Sequence, residues 1–239
     1  LALVYSFYKW RIAQIRKRAD LDKLLSQTEM KALHAQMNPH FIFNSLNSIR
    51  EMILNNENHE ASRFLSKFAH LIRITLDQSR QQVISLRNSM DYINRYVEME
   101  KIRNSRFHFA MQADPDLELD ETILPPMLIQ PFIENAIWHG TNGDGKIIEI
   151  KVDFAKQGER LVCTIEDNGV GIDHSLKSKI NGDQHQSVGI ANIKNRIDLL
   201  NQKYGMKSSI TVKDKSEPGN RAISGTLVTI TLPLEMIEV

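Results

Sequence analysis

The chain has 239 residues, 41% of them hydrophobic and 25% charged, a globular profile with room for one large domain or two modest ones. Its 30 basic and 29 acidic residues leave a net charge of +1. That lacks the basic excess needed for bulk nucleic-acid binding, so no direct nucleic-acid partner is expected. The one cysteine, Cys163, forms no intramolecular disulfide and fits a reducing compartment; it lies in an alternating apolar run and reads as a buried strand residue.

Leu1-Ala-Leu-Val-Tyr-Ser-Phe-Tyr8 is apolar and aromatic, and Lys9, Arg11, Arg16, Lys17 and Arg18 follow at once. That order reads as the inner end of a transmembrane helix, residues 1–10, with the cytoplasm on the basic side. Eight residues fall short of the roughly 20 that span a bilayer, so the reading includes a span cut short at this end. From Arg11 to Met37 there is no Pro or Gly, and Leu21, Leu25, Thr28, Ala32 and Ala35 follow heptad spacing. Residues 11–37 therefore read as a parallel signalling helix or coiled coil.

Asn38 suits an N-cap and Pro39 the first helical position, so a new helix is predicted from about His40 to Leu54. Ile42, Leu46, Ile49 and Ile53 make its apolar face. Asn55–Asn58 reads as a turn, and a second helix is predicted over Ala61–Ser79, with a stripe of Phe64, Leu65, Phe68, Leu71, Ile72, Thr75 and Leu76. Two such helices cannot bury both faces alone, and a homodimer forming a four-helix bundle would. A third helix, Leu86–Asn104, carries Met90, Ile93 and Val97 on one face. Residues 38–105 thus read as a dimerisation region.

The pattern changes near residue 105. Strands are predicted at Phe107–Gln112, Ile147–Phe154, Leu161–Glu166, Ser209–Val212 and Thr226–Leu232, and helices at Pro126–His139 and Val188–Tyr204. The fold class is α+β: a helical linker and bundle, then a two-layer α/β sandwich over 106–239.

Four groups of residues carry chemistry. His40 shares a polar stripe with Asn44, Asn47 and Glu51, away from the apolar face. A neutral imidazole, with a reference pKa of about 6.5, is a usable nucleophile. Glu134-Asn135 offers a carboxylate that could act as a base or orient water, and an amide oxygen suited to Mg²⁺. Asp167-Asn168-Gly169-Val170-Gly171 follows a strand; its aspartate can accept a hydrogen bond from an amino group, and its glycines let backbone approach a ligand. Ser187-Val188-Gly189-Ile190-Ala191-Asn192 opens a helix whose free N–H groups suit a phosphate. Gly140–Lys146 fits the P-loop pattern, but Ile147 stands where Ser or Thr holds Mg²⁺, and the segment runs helix to strand, the reverse of a P-loop. The histidines show no zinc spacing.

Together these residues resemble a known family. Gln36-Met-Asn-Pro-His-Phe-Ile-Phe-Asn-Ser-Leu-Asn47 looks like the phosphoacceptor signature of the LytS/YehU-type sensor histidine kinases. Glu134-Asn135-Ala136, Asp167–Gly171, and Gly189 with Asn192 resemble the N box and two glycine boxes of the ATPase fold shared by gyrase, Hsp90, histidine kinases and MutL. The likeness covers about Thr28 to Leu234. It implies autophosphorylation of His40 from ATP, then transfer to an aspartate of a response regulator receiver domain. It also implies that Asp167 accepts the adenine amine and Asn135 holds Mg²⁺. His139, Gly169, Gly171, Gly189 and Asn192 would line the nucleotide site, and residues 172–187 would form a lid. Glu134 is the candidate base, since Phe41 and not an acid follows His40. Two further departures are Ser187, where the second glycine box usually starts with glycine, and Trp138, where lysine is common. The full-length protein would sit in the bacterial inner membrane with this region on the cytoplasmic side.

Two other readings remain beside the kinase: an ATPase clamp on the same fold, and a non-catalytic module that binds ATP or dimerises and regulates a partner by docking. The clamp has no use for the His40 motif.

Overall fold

A computed structural model describes residues 11, 39–140, 147–171, 193–195, 197–198, 201, 207–215 and 224–234. The expected membrane segment, all but residue 11 of the signalling helix, the 172–187 lid, Gly189 and Asn192 lie outside the described residues. The chain divides into two compact units, Leu1–Leu65 and Ser66–Val239. The break falls inside the second predicted helix, whereas the sequence expectation placed a boundary near residue 105.

The first unit holds α1 (Pro39–Leu54) and the start of α2 (Asn58–Ser79). The first helical residue is Pro39, as its missing N–H and fixed φ favour. The turn after α1 uses Asn56 at φ 63°, a left-handed conformation that asparagine tolerates. α1 differs from its predicted amphipathicity. It buries Phe41 and Ser45, while Leu46 and Ile53 of the predicted apolar face stay exposed, joined by Phe43 and Leu54. These four lie on one side of the helix, at i, i+3, i+10 and i+11 from Phe43.

In the second unit the rest of α2 buries Phe68, Leu71, Thr75 and Gln78, spaced one helical turn apart, while Leu76 remains exposed. This face meets α3 (Leu86–Arg103) through Thr75 with Tyr92, Gln78 with Asn88, and Lys67 with Glu98. Ser85 caps α3 by accepting the Asn88 N–H, and Lys101 and Arg103 sit in its last turn, where positive charge is favoured. Leu86, Tyr92, Ile93, Tyr96, Val97 and Met99 are buried, so α3 is covered on more than the one face its sequence showed.

Two strands of two residues each lie outside the sequence expectations. β1 (Ile84–Ser85) pairs antiparallel with β3 (Ile123–Leu124), and Leu86 N–H donates to Thr122 O at 2.7 Å. They pin the start of α3 to the segment entering α4 (Gln130–Gly140). α4 starts four residues later than predicted: Pro125-Pro126 and Met127, at φ 57°, hold the chain out of helix.

The remaining strands are β2 (Phe107–Ala113), β4 (Ile148–Gln157), β5 (Arg160–Asp167), β6 (Ser209–Asp214) and β7 (Thr226–Pro233). They form one sheet in the order β2-β4-β5-β7-β6. β2 runs parallel to β4, with α4 as part of the crossover, and the other pairs are antiparallel. Gly158, at φ 61°, turns the β4–β5 hairpin. Along β4, Ile148, Ile150, Val152 and Phe154 are buried between exposed or half-buried neighbours, the alternation of a sheet covered on one face. α4 lies against β4 and β5. Cys163 is buried in β5, as expected, and burial pushes its thiol pKa up. This is the α/β half of the predicted α+β fold.

Candidate nucleotide site

Asp167 ends β5, and its surroundings are built by backbone. Its Oδ1 accepts the N–H of Gly169 at 2.8 Å and that of Thr226 at 3.2 Å. Thr226 opens the neighbouring strand β7, where Glu166 pairs with Leu227, so the sheet register delivers it to the aspartate. Gly225 precedes it at φ 129°, a conformation that favours glycine; a Cβ there would collide with the Asp167 carbonyl oxygen. Lys215, just after β6, donates to Glu166 at 2.5 Å and to the Asp167 carbonyl at 3.3 Å. Loss of hydration raises the Asp167 pKa; the Gly169 and Thr226 N–H groups and the Lys215 charge oppose that rise.

Asn168 turns the other way and ties the loop to β4: its Oδ1 accepts the Glu149 N–H at 2.9 Å. Gly169 and Gly171 are buried, and Gly171 takes φ 77°. The glycines of the motif thus serve a turn that holds the aspartate still. A half-buried carboxylate beside a half-buried threonine, with backbone packed close, is the donor–acceptor set that a purine's exocyclic amine would meet. Sequence reasoning missed Thr226 and Gly225. Thr226 reads as an ordinary strand start, and only the dipeptide Gly-Thr before a β-branched run hints at a close approach.

Glu134 and Asn135 lie in the middle of α4. Asn135 is half-buried, and its amide oxygen fits a hard cation held chiefly by phosphate oxygens. Glu134 is 8% exposed, less open than a helix-surface base, and accepts an N–H from Gln130 Nε2 at 2.6 Å. Its charge contributes to raising the pKa of Tyr92 and Tyr96, though burial is the larger cause for both. Trp138 is also on α4, with the Arg103 guanidinium over its ring at 5.0 Å. The contact is a cation–π pair between α3 and α4. Arg103 in turn pairs with the buried Glu100 at 2.9 Å. His139 is the penultimate residue of α4.

α4 rests on β5, so Asn135 and Asp167 belong to one sandwich. His40, in the first turn of α1, belongs to the other compact unit. Among the described residues no group of three or more His, Cys, Asp or Glu could hold a metal ion, and no helix is long and apolar enough to cross a membrane.

Residues 28–107 match the histidine kinase family, and residues 123–236 match the histidine kinase-, DNA gyrase B-, and HSP90-like ATPase family. The sensor histidine kinase YesM of Bacillus subtilis is 29% identical over 212 residues, covering 88% of this chain and 34% of that protein. The sensor protein LytS of Staphylococcus haemolyticus is 32% identical over 221 residues, covering 90% of this chain and 36% of that one. The sensor histidine kinase BtsS of Escherichia coli is 33% identical over 147 residues, covering 61% and 25%. The chain therefore spans about a third or less of the length of these relatives.

Proposed function

We propose that this chain, which carries a histidine kinase region joined to a histidine kinase-, DNA gyrase B-, and HSP90-like ATPase domain, is the transmitter of a LytS/YehU-type sensor kinase. It phosphorylates its own His40 from ATP and passes the phosphoryl group to an aspartate of a response regulator receiver domain. The observation that carries this reading is the Asp167 cradle. A half-buried carboxylate is held by the Gly169 and Thr226 N–H groups at the end of β5, in the sheet on which α4 places Asn135.

Asp167 accepts the adenine amine, and Gly225 gives the backbone its close approach. Gly189 and Asn192 contact the phosphates, and His139 lines the nucleotide site. Asn135 would hold a Mg²⁺ ion through its amide oxygen, and the ion would supply neutralisation of phosphate charge. A nitrogen of the His40 ring attacks the γ-phosphorus in line; the N–P bond forms as the bond to the bridging oxygen breaks, and ADP leaves. The proton of the attacking imidazole passes to a base, for which Glu134 is the candidate. The protein's part is positioning and charge neutralisation. Residues 172–187 close over the nucleotide. The protein works as a homodimer through its bundle helices, anchored in the inner membrane with this region in the cytoplasm. Residues 1–10 end the membrane helix, 11–37 carry the signal, 38–105 dimerise and present His40, and 106–239 bind ATP.

Calorimetry with ATP, with and without Mg²⁺, tests the site. Wild type should bind Mg-ATP, and Asn135→Ala should weaken binding only when Mg²⁺ is present. Absence of binding to wild type would overturn the reading.

A further inference from the structure

The ladder between β5 and β7 stops one residue short of the site. Its last pair is Glu166 with Leu227, and the next would set Asp167 against Thr226. In an unbroken ladder the Thr226 N–H would meet a backbone carbonyl. Here it donates to the Asp167 carboxylate at 3.2 Å. The side chain has taken a ladder donor, and the Asp167 carbonyl needs another partner.

Lys215 supplies it. Its Nζ donates to the Asp167 carbonyl at 3.3 Å and to Glu166 Oε1 at 2.5 Å. Lys215 follows β6, and its own N–H donates to the Gly225 carbonyl at 2.9 Å. The side chain therefore reaches from the β6 side, past Gly225, to the end of β5. Gly225 leaves that path open, since a Cβ there would collide with the same Asp167 carbonyl oxygen. Side chains alternate along β5, so Asp167 shares a face with the buried Cys163 and Ile165, and Glu166 turns to the opposite one. The Lys215 ammonium, bonded to Glu166, thus holds the strand end from behind the Asp167 carboxylate, away from where an adenine amine would meet it.

We propose that Lys215 is a positioning residue for nucleotide recognition: by occupying the Asp167 carbonyl, it keeps the Thr226 N–H on the Asp167 carboxylate and that carboxylate aimed at the adenine amine. This rests on the reading of Asp167 as the acceptor of that amine. Without the ammonium the carbonyl is open, and the Thr226 N–H returns to it as the next rung of the ladder. The carboxylate then keeps only its Gly169 support and turns from the site. Glu166 acts one step further back, by orienting the ammonium.

Calorimetry on the whole chain with Mg²⁺ compares ATP with purine riboside triphosphate, which lacks the exocyclic amine. Variants are Lys215→Met, Lys215→Arg and Glu166→Ala, each with its thermal unfolding curve. Wild type should prefer ATP. Lys215→Met should lower ATP affinity about five- to twenty-fold and leave the affinity for purine riboside triphosphate within about two-fold of wild type. Glu166→Ala should show the same selective loss, smaller in size. Lys215→Arg, which keeps a cationic donor, should retain most of the preference. An unchanged preference in Lys215→Met overturns the proposal while the reading of Asp167 stands. An equal loss for both nucleotides also overturns it, because a general effect of charge or folding acts on both. A wild type that binds the two nucleotides equally overturns the reading of Asp167, and the proposal with it.

Backbone amide signals in a nitrogen–proton NMR spectrum give a check that needs no nucleotide. In Lys215→Met the Thr226 N–H should shift, and the Gly169 N–H much less. A Thr226 signal left in place overturns the proposal.

Discussion

Gly225 and Asp167 approach so closely that any side chain at 225 would strike backbone: a Cβ there would collide with the Asp167 carbonyl oxygen and lie 2.9 Å from Asn168 Cα. Its φ of 129° adds conformational strain for any other residue. Gly225→Ala should therefore push β7 away from the end of β5 and cost on the order of 2–4 kcal/mol. Urea denaturation measures the loss, and ATP affinity should fall with it, because Thr226 moves with the strand.

Asp167→Asn should separate binding from stability. The asparagine Oδ1 can still accept the Gly169 and Thr226 N–H groups, but a carboxylate is lost where an adenine amine would donate. ATP affinity should fall about ten- to a hundred-fold by calorimetry. Stability should move the other way. Loss of hydration raises the folded pKa of Asp167 above its ordinary 3.8, so the folded state holds that proton more tightly than the unfolded one. Wild-type stability therefore declines as pH rises from about that value through the folded pKa. The neutral amide of the variant carries no such penalty. Thermal unfolding without nucleotide should show the variant gaining on wild type from acid to neutral pH; an advantage confined to acid pH would contradict the assignment.

Arg103→Ala should be costly through its partner. Glu100 is 1% exposed and takes two bonds from Arg103 Nη1, at 2.9 and 3.1 Å. Burial already raises the Glu100 pKa, and the Arg103 charge opposes that rise. Removing Arg103 leaves a buried carboxylate without its counter-charge and strips the cation from the Trp138 ring, at a cost of about 3 kcal/mol. In a Glu100→Gln background the same change should cost much less. A double-mutant cycle by chemical denaturation measures the difference; additive effects would refute the coupling.

Phe43 and Leu54 are 67% and 73% exposed, on the same side of α1 as Leu46 and Ile53. Single chains rarely leave such a stripe open, and a partner copy would cover it. Phe43→Glu with Leu54→Glu should convert a dimer to monomers in sedimentation velocity, while the unfolding of the ATP-binding unit stays within about 0.5 kcal/mol of wild type.

Much of this was legible because period-2 and period-3.6 patterns report burial directly. β4 shows its alternation from Ile148 to Phe154, and α2 its turn-spaced Phe64, Phe68, Leu71 and Thr75. The reading fell short where tertiary contact overrides pattern. α1 hides Phe41 and Ser45 instead of Leu46 and Ile53, because tertiary contact and not the single apolar face of the pattern decides which residues a single chain covers. β1 and β3 are too short for any period to register. At the site, Asp167, Asn135 and Glu134 were named from residue type and order. Thr226 was not, since it reaches Asp167 across 59 residues by sheet register. The burial of Glu134 beside Tyr92 and Gln130 was hidden for the same reason: it depends on α3, which the sequence placed in the bundle region.

The most direct measurement is transfer of labelled γ-phosphate from Mg-ATP to the purified chain, with wild type and His40→Gln side by side. The account predicts an acid-labile, base-stable label on wild type and none on His40→Gln, with ATP binding intact in both. Equal labelling of the two proteins, or no label on a wild type that binds Mg-ATP, would contradict it.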